Sequence, residues 1–183
     1  MKRRLMWLVL LSAAIAVTAL YHVGTVRATS PSGFMSKTLA QGRLGQMDVF
    51  NQLVDPPFAQ DPGNNGNVWL SLQKTKGLSD LIVQSSMWQP GGSTGWHSHP
   101  GHSVIIVTAG SVTNYEGDDP SCTPHVYTFV AGQPAPIFVD PGGNHAHLVR
   151  NEGTVPASTI AVQLIPAGTQ RRIDVPSPGN CPF

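Results

Sequence analysis

The sequence predicts an all-β protein, an antiparallel sandwich or barrel, and two observations carry this prediction. Glycine and proline occupy 19 and 16 of the 183 positions, which disfavours long helices because glycine costs backbone entropy and proline removes a helix hydrogen bond. Short apolar segments follow one another along the chain, with glycine or proline between most of them, as strands and turns do. These segments are residues 68–72, 81–88, 104–108, 112–115, 126–130, 137–139, 145–149 and 159–165.

Composition narrows the class of protein further. Hydrophobic residues make up 40% of the chain and charged residues only 11%, so the chain can form a core and is not a charge-rich disordered protein. Lys plus Arg number 11 and Asp plus Glu number 10, which leaves a net charge of +1. This balance lacks the basic surplus with which proteins neutralise phosphates, so we expect no nucleic-acid partner.

Residues 1–28 have the pattern of an export signal peptide. Three basic residues at 2–4 precede an uncharged, mostly apolar run at 5–20, and Val26 and Ala28 place small residues at the two specificity positions of a cleavage site. Cleavage would give an extracytoplasmic protein, either periplasmic or secreted. The alternative is an uncleaved N-terminal membrane anchor, because the apolar run extended by a few residues approaches the roughly 20 residues that span a bilayer.

The rest of the chain divides into three parts. Residues 29–67 have scattered hydrophobic positions broken by proline, glycine and aspartate, which predicts an irregular N-terminal arm with one strand near 46–51. Residues 68–165 contain the predicted strands of the barrel. Residues 166–183 form a Pro-rich C-terminal tail, and its prolines exclude a central strand.

Both cysteines, Cys122 and Cys181, lie beyond the predicted signal. Export would place them where disulfides persist, so one bridge that ties the tail to the body is expected. It would close a loop of 59 residues (181 minus 122), for which the chain-entropy model gives roughly 4 kcal/mol. The alternative is two unpaired buried thiols.

The candidate metal ligands of this chain are histidines. Alternate residues of a strand share a face about 6.7 Å apart, so the two imidazoles of a His-x-His sequence can converge on one metal ion at about 2.1 Å from each nitrogen. Two such sequences occur in this chain. The alternative is that each histidine is a hydrogen-bonded core or surface residue. The candidates are His97, His99, His102, His145 and His147.

Residues 91–110 read GGSTGWHSHPGHSVIIVTAG, and residues 141–156 read PGGNHAHLVRNEGTVP. These stretches resemble the two motifs of the cupins, in particular those of the small single-domain barrels of that superfamily. His97 and His99 match the paired histidines of the first motif, and Gly110 matches the glycine that ends the following strand. In the second motif the matching positions are His147, Asn151, Gly153 and Pro156. The resemblance implies a double-stranded β-helix, or jelly-roll barrel, with a metal site inside it.

Two departures from the family pattern concern the ligands. The family's glutamate ligand falls on Ser103, which leaves His97, His99 and His147 as the metal ligands that the resemblance implies. Such a set suits one divalent transition metal ion, iron, copper, zinc or nickel. The second motif contains one residue more than the common pattern, so His145 is an alternative third ligand.

The resemblance leaves several classes of function open. An exported, mononuclear metal-dependent oxidoreductase of the dioxygenase type, acting on a small organic molecule, is the first, although isomerases and decarboxylases of the superfamily fit the same ligands. A non-enzymatic sensor or carrier of a small ligand or metal is the second, and a structural barrel with a vacant site is the third. Catalysis would need a proton-handling group, and His102 and His145 are the candidates for that catalytic role. Many cupins dimerise, which makes a homodimer possible by analogy.

Overall fold

The computed structural model describes residues 28–54 and 68–183, so all but the last residue of the predicted signal at 1–28 lies outside it. No α-helix occurs in the described residues, and the all-β prediction is confirmed. Accordingly, these residues contain no helix that is long and apolar enough to cross a membrane. The strands are β1 Ser32–Leu44, β2 Asp48–Val54, β3 Val68–Lys74, β4 Ser79–Ser93, β5 His97–Ser98, β6 Ser103–Ala109, β7 Ser111–Glu116, β8 His125–Thr128, β9 Ile137–Asp140, β10 His147–Arg150, β11 Ala157–Pro166 and β12 Ile173–Asp174.

Ten of these strands form a nearly closed antiparallel barrel that can be read as two five-stranded layers. The first layer has the order β1-β4-β11-β6-β9, and in the second β12, β5, β10, β7 and β8 lie side by side. The layers join where the end of β4 pairs with β10, at Ser93 and Arg150. Strands that neighbour each other in space are often distant in sequence, which is the crossing pattern of a jelly roll.

The two layers enclose an apolar core. Trp88, Ile105 and Phe138 from the first layer pack with Val112 and Val149 from the second, and all five are at most 8% exposed. These residues occupy alternate positions of their strands, so their side chains point to the same inner face. The turn at Gly110 requires glycine, because its φ is +66° and a Cβ there would lie 2.5 Å from the carbonyl oxygen of Pro156.

The prediction of an irregular arm over residues 29–67 is wrong for most of its described part. β1 pairs with β4 along nearly its whole length, and β2 adds a second strand close to the one predicted at 46–51. β1 is an edge strand whose side chains are almost all exposed; Met35 and Leu39, for example, are 61% and 53% exposed. Alternating hydrophobicity arises from burial on one face, so a strand held mainly by its backbone ladder lacks that signal.

The predicted barrel boundaries, 68–165, also need correction. β3 pairs only with β2, in a separate two-stranded sheet, so it does not belong to the barrel. The barrel consists of β1 and of β4 to β12, and β1 and β12 lie outside the predicted range. An apolar segment predicts that a strand forms but not which strand it pairs with, because partners depend on contacts between distant residues.

The C-terminal tail is fastened to the barrel, and the predicted disulfide is confirmed. Cys122 and Cys181 are bonded, with their Cα atoms 5.2 Å apart. β12 is a two-residue edge strand on β5, which agrees with the exclusion of a central strand from this Pro-rich segment. Beyond β12, the backbone N–H of Val175 donates to the carbonyl of Trp96. The tail is therefore held against the strand that carries His97.

Candidate metal centre

Three of the predicted histidines meet inside the barrel. His97 begins β5 and His147 begins β10, and the antiparallel pairing of these strands places the two residues opposite each other. His99 follows β5 directly, two residues after His97, and so shares its face. One ring nitrogen of each lies within 4.8 Å of a ring nitrogen of the other two, and all three side chains are buried.

The Nδ1 atoms of two of these rings are already engaged by backbone carbonyls. Nδ1 of His97 lies 2.9 Å from the carbonyl oxygen of Gly95, and Nδ1 of His99 lies 2.7 Å from that of Arg171. A carbonyl oxygen only accepts hydrogen bonds, so both rings carry their proton on Nδ1. Each therefore keeps a lone pair on Nε2, which is the form in which imidazole binds a metal.

Asp140, at the end of β9, plays the corresponding part for the third ring. Its Oδ1 lies 3.4 Å from Nδ1 of His147. Burial acts to raise the pKa of Asp140, but the interaction with His147 and the hydrogen bond from the Gly142 N–H outweigh it and hold the pKa below its usual value. The carboxylate is therefore ionised and orients the ring of His147 with its Nε2 toward His97. Sequence reasoning missed Asp140; the signal available was its place at the end of an apolar strand, just before a glycine-rich turn.

The approach of two ring nitrogens tests whether these residues fit a metal ion. Nε2 of His97 and Nε2 of His147 are 3.0 Å apart. The carbonyl of Gly95 and the carboxylate of Asp140 favour the tautomers that carry the proton on Nδ1. In those tautomers the contact sets two lone pairs against each other, and a cation would relieve it. Two nitrogens about 2.1 Å from one ion and 3.0 Å apart subtend about 90° at that ion, the angle between neighbouring ligands of an octahedral site. The residues fit a transition metal.

The protonation state of the rings favours metal binding. Burial, the nearby His147 and the positive charge of Arg172 lower the pKa of His97 well below its ordinary value. Burial also lowers the pKa of His99 to about 4. Both rings are therefore neutral at neutral pH, which leaves their lone pairs free for a cation.

Ser103 occupies the position that the resemblance assigns to a glutamate ligand. Its side chain is buried, and it lines the same cavity as the three histidines. Its hydroxyl accepts a hydrogen bond of 3.0 Å from Nε2 of Gln163 on β11. Neutral hydrogen-bonding groups thus stand where the family pattern has a negative charge.

The structure places His145 beside the three-histidine group but not within it. Its Nε2 lies 3.4 Å from both a Glu116 oxygen and an Asp118 oxygen, and its Nδ1 lies 3.9 Å from Oδ1 of Asp140. His145, Glu116 and His147 form a second group of residues whose ligand atoms lie within 4.8 Å of one another. His145 and Glu116 are only half-buried, so this group is less enclosed than the three histidines. His145 thus contacts Asp140 from outside the cavity.

His102, the other candidate for proton handling, is not brought to the site. Its side chain is exposed and lines a separate groove with residues of β3 and of the end of β11. The turn between His99 and β6 directs it away from the barrel interior. Its proximity to the motif in sequence therefore does not become proximity in space.

The cavity beside the histidines is small and has two kinds of wall. Its volume of about 70 Å³ has room for about five water molecules or a small organic molecule. The histidines, Gln163 and two arginines, Arg171 and Arg172, form a polar wall. The apolar wall is formed by Trp88, Ile105, Phe138, Val149 and Ala161.

Comparison with known proteins gives matches among solved structures only. No protein-family model and no curated protein matches the chain. A cupin superfamily sugar phosphate isomerase from Silicibacter pomeroyi is 21% identical, with 45% of this chain and 49% of that chain covered and a TM-score of 0.37. A cupin superfamily protein from Desulfitobacterium hafniense is 11% identical, with 64% and 78% covered and a TM-score of 0.38.

A longer match is the polyketide cyclase RemF from Streptomyces resistomycificus, which is 15% identical, with 86% of this chain and 87% of that chain covered and a TM-score of 0.47. Several matches extend over about half of the other protein. The chain spans 49% of the sugar phosphate isomerase, 56% of Peruvianin-I from Thevetia peruviana and 41% of a recombinant oxalate oxidase.

Proposed function

We propose that this protein is an exported metal-binding protein whose barrel holds one divalent transition metal ion, iron, copper, zinc or nickel, on His97, His99 and His147. The observation that carries the proposal is the 3.0 Å approach of the His97 and His147 Nε2 atoms, in rings whose Nδ1 atoms face groups that accept hydrogen bonds. Imidazole suits these metals better than it suits magnesium or calcium. When bound, such an ion supplies a Lewis acid and, for iron or copper, a redox centre.

The activity we propose is that of a mononuclear metal-dependent oxidoreductase of the dioxygenase type, acting on a small organic molecule. Three protein ligands leave positions on the ion open to a substrate. The chain's own groups do the positioning: Asp140 holds the ring of His147, and Gln163 with Ser103 offers hydrogen bonds beside the ligands. The apolar wall keeps water away from the bound molecule.

A non-enzymatic binding protein is the second candidate, and one observation favours it. Among the described residues that line the cavity, the only titratable side chains are the three histidines and the two arginines. The histidines are occupied as ligands, and arginine does not release its proton. A reaction that needs a separate general base would have to take it from His145, which lies outside the cavity.

Export is supported by the disulfide, since such bonds persist in oxidising compartments. We therefore propose that residues 1–28 direct the chain out of the cytoplasm, with membrane attachment only if the signal is not cleaved. Homodimerisation stays an expectation from the family resemblance.

Metal analysis of the purified protein tests the proposed function. We expect close to one transition metal ion per chain, and loss of that ion in His97→Ala, His99→Ala and His147→Ala. His102→Ala is the matched control, because it removes a histidine of the same motif that does not reach the site, and it should keep its metal. A wild-type protein that rejects added iron, copper, zinc and nickel would refute the proposal.

His145→Ala separates the two candidate roles of that residue. We expect this variant to keep its metal, because His145 faces Glu116 and Asp118 rather than the three histidines. Oxygen consumption by the metal-loaded wild type, screened with small organic molecules, then distinguishes an oxidoreductase from a binding protein. Loss of metal from His145→Ala with retention in His147→Ala would show that the third ligand is wrongly assigned.

A further inference from the structure

Two arginines of the C-terminal tail place positive charge beside the three histidines. The backbone carbonyl of Arg171 accepts the hydrogen bond from Nδ1 of His99, at 2.7 Å, and the side chains of Arg171 and Arg172 both line the cavity. Both guanidinium groups thus border the site.

The two arginines differ in how their charge is compensated. Arg172 forms an ion pair with Asp174, and its Nη2 donates to the carbonyl of Thr94. Arg171 has one side-chain hydrogen bond, from Nη1 to Oε1 of Gln163, at 3.4 Å. Among residues 28–54 and 68–183, no carboxylate lies within ion-pair distance of it. A half-buried guanidinium without a counter-charge favours an anion from outside the protein.

The metal ligands add to this excess of positive charge. Three neutral imidazoles leave a divalent ion with its full charge, and Ser103 supplies no carboxylate where the family pattern has one. Asp140 and, outside the cavity, Glu116 are the carboxylates near these histidines in the described part of the chain. A divalent ion and Arg171 together carry three positive charges, one more than these two carboxylates can balance.

Cavity size and wall chemistry restrict what that anion can be. The cavity has a volume of about 70 Å³. If each non-hydrogen atom takes the space of one water molecule, a ligand of about five such atoms fits. Trp88, Phe138 and Val149, which line the same cavity, offer an apolar surface. The planar fork of a single guanidinium matches a carboxylate, whereas a phosphate dianion would gain from more cations than one free arginine provides.

We propose that the cavity binds a small organic carboxylate, with its oxygens directed to Arg171 and to the metal and its short hydrocarbon part against the apolar wall. The metal contact rests on the proposed function, whereas the contact with Arg171 does not. The arginine is supplied by the tail that the Cys122–Cys181 disulfide fastens.

Propionate and propionamide are the probes that test this assignment, because they have the same size and differ in charge. Each is titrated by calorimetry into protein loaded with Co²⁺, and the visible Co²⁺ spectrum is recorded in parallel. We expect propionate to bind and to change the spectrum, and propionamide to bind at least about tenfold more weakly. Equal binding of the two, or tighter binding of inorganic phosphate than of propionate, would overturn the proposal.

Arg171→Gln removes the charge without disturbing His99, whose partner is the backbone carbonyl of residue 171. We expect propionate affinity to fall roughly 10- to 100-fold, the range for a charge-assisted hydrogen bond. Arg171→Lys, which keeps the charge but not the planar fork, should fall between Arg171→Gln and the wild type. The control is Lys37→Gln, which removes an exposed positive charge on β1. Unchanged propionate affinity in Arg171→Gln would refute the role of this arginine.

The two proposals fail in different ways. A wild-type protein that takes up no metal refutes the proposed function, and the same titrations of the metal-free protein then decide whether propionate still binds in a manner that depends on Arg171. A protein that takes up Co²⁺ but does not respond to propionate refutes only the carboxylate assignment. Co²⁺ affinity should not fall in Arg171→Gln, because this variant loses a positive charge near the ion and keeps all three histidines.

Discussion

Acid should destabilise the metal-free protein through His99. The pKa of this residue is about 4 in the folded protein, against an ordinary value of 6.5, because the ring is buried. The unfolded chain thus takes up a proton near pH 6.5 that the folded protein accepts only near pH 4. Stability from this residue is therefore complete above pH 6.5 and is lost as the pH falls toward 4.

The size of the effect follows from the two pKa values. Their separation corresponds to roughly 3 kcal/mol at low pH, of which about 2.5 kcal/mol is already lost at pH 4.5. His97 adds a loss of the same sign, because burial lowers its pKa as well. Asp140 adds little to the loss of stability above pH 4.5, because its carboxyl has an ordinary pKa of 3.8 and is ionised in both the folded and the unfolded protein there.

Denaturant unfolding of chelator-treated protein at pH 7.5 and at pH 4.5 measures this loss. Wild type should lose at least about 2.5 kcal/mol of unfolding free energy between the two values, and His99→Asn should lose about 2.5 kcal/mol less than wild type. His125→Asn, which changes an exposed histidine on β8, should behave like wild type. The same pH dependence in wild type and His99→Asn would refute the burial argument.

Four further predictions concern the site, the tail, the core and the N-terminus. Ser103→Glu should tighten divalent metal binding, measured by competition with a chelator, because it returns a carboxylate to a buried position that lines the cavity; no change would mean that residue 103 does not face the ion. Replacing Cys122 and Cys181 together by serine should cost about 4 kcal/mol of unfolding free energy for a sequence separation of 59 residues, and a denaturation midpoint equal to that of wild type would contradict this. Asn151→Ala should cost about 3 kcal/mol, because a fully buried amide loses three hydrogen bonds to backbone groups; a loss below about 1 kcal/mol would show that water replaces them. N-terminal sequencing of the exported protein should begin at Thr29, and an intact N-terminus in the membrane fraction would indicate an anchor.

Local sequence patterns were sufficient for most of the strands. Seven of the eight predicted segments became strands of the barrel, and β6 and β11 extend no more than two residues beyond the predicted bounds at either end. Most of those strands bury one face, as β6 and β11 do, and this burial produces an apolar pattern over a few consecutive residues. β1 buries almost none of its side chains, so no local pattern predicted it, and its conformation follows from pairing with β4.

The histidine site also combines residues that local spacing predicts with one that only long-range strand pairing brings into place. The spacing of His97 and His99 already implied that their rings share one face, because two residues of a strand are related by the strand's own geometry. The family resemblance then indicated His147, which lies 50 residues farther along the chain and reaches His97 through the pairing of β5 with β10.

Only the tertiary structure revealed the groups that complete the site. Asp140 reaches His147 from β9, and Arg171 approaches His99 from 72 residues away in the sequence. The one local signal for Asp140 was its place at the end of an apolar strand before a glycine-rich turn, and nothing near Arg171 in the sequence sets it apart from other charged residues. Periodicity records which side chains point inward along one strand, whereas the partners that meet inside a barrel are decided by how distant strands pair and by where the disulfide holds the tail.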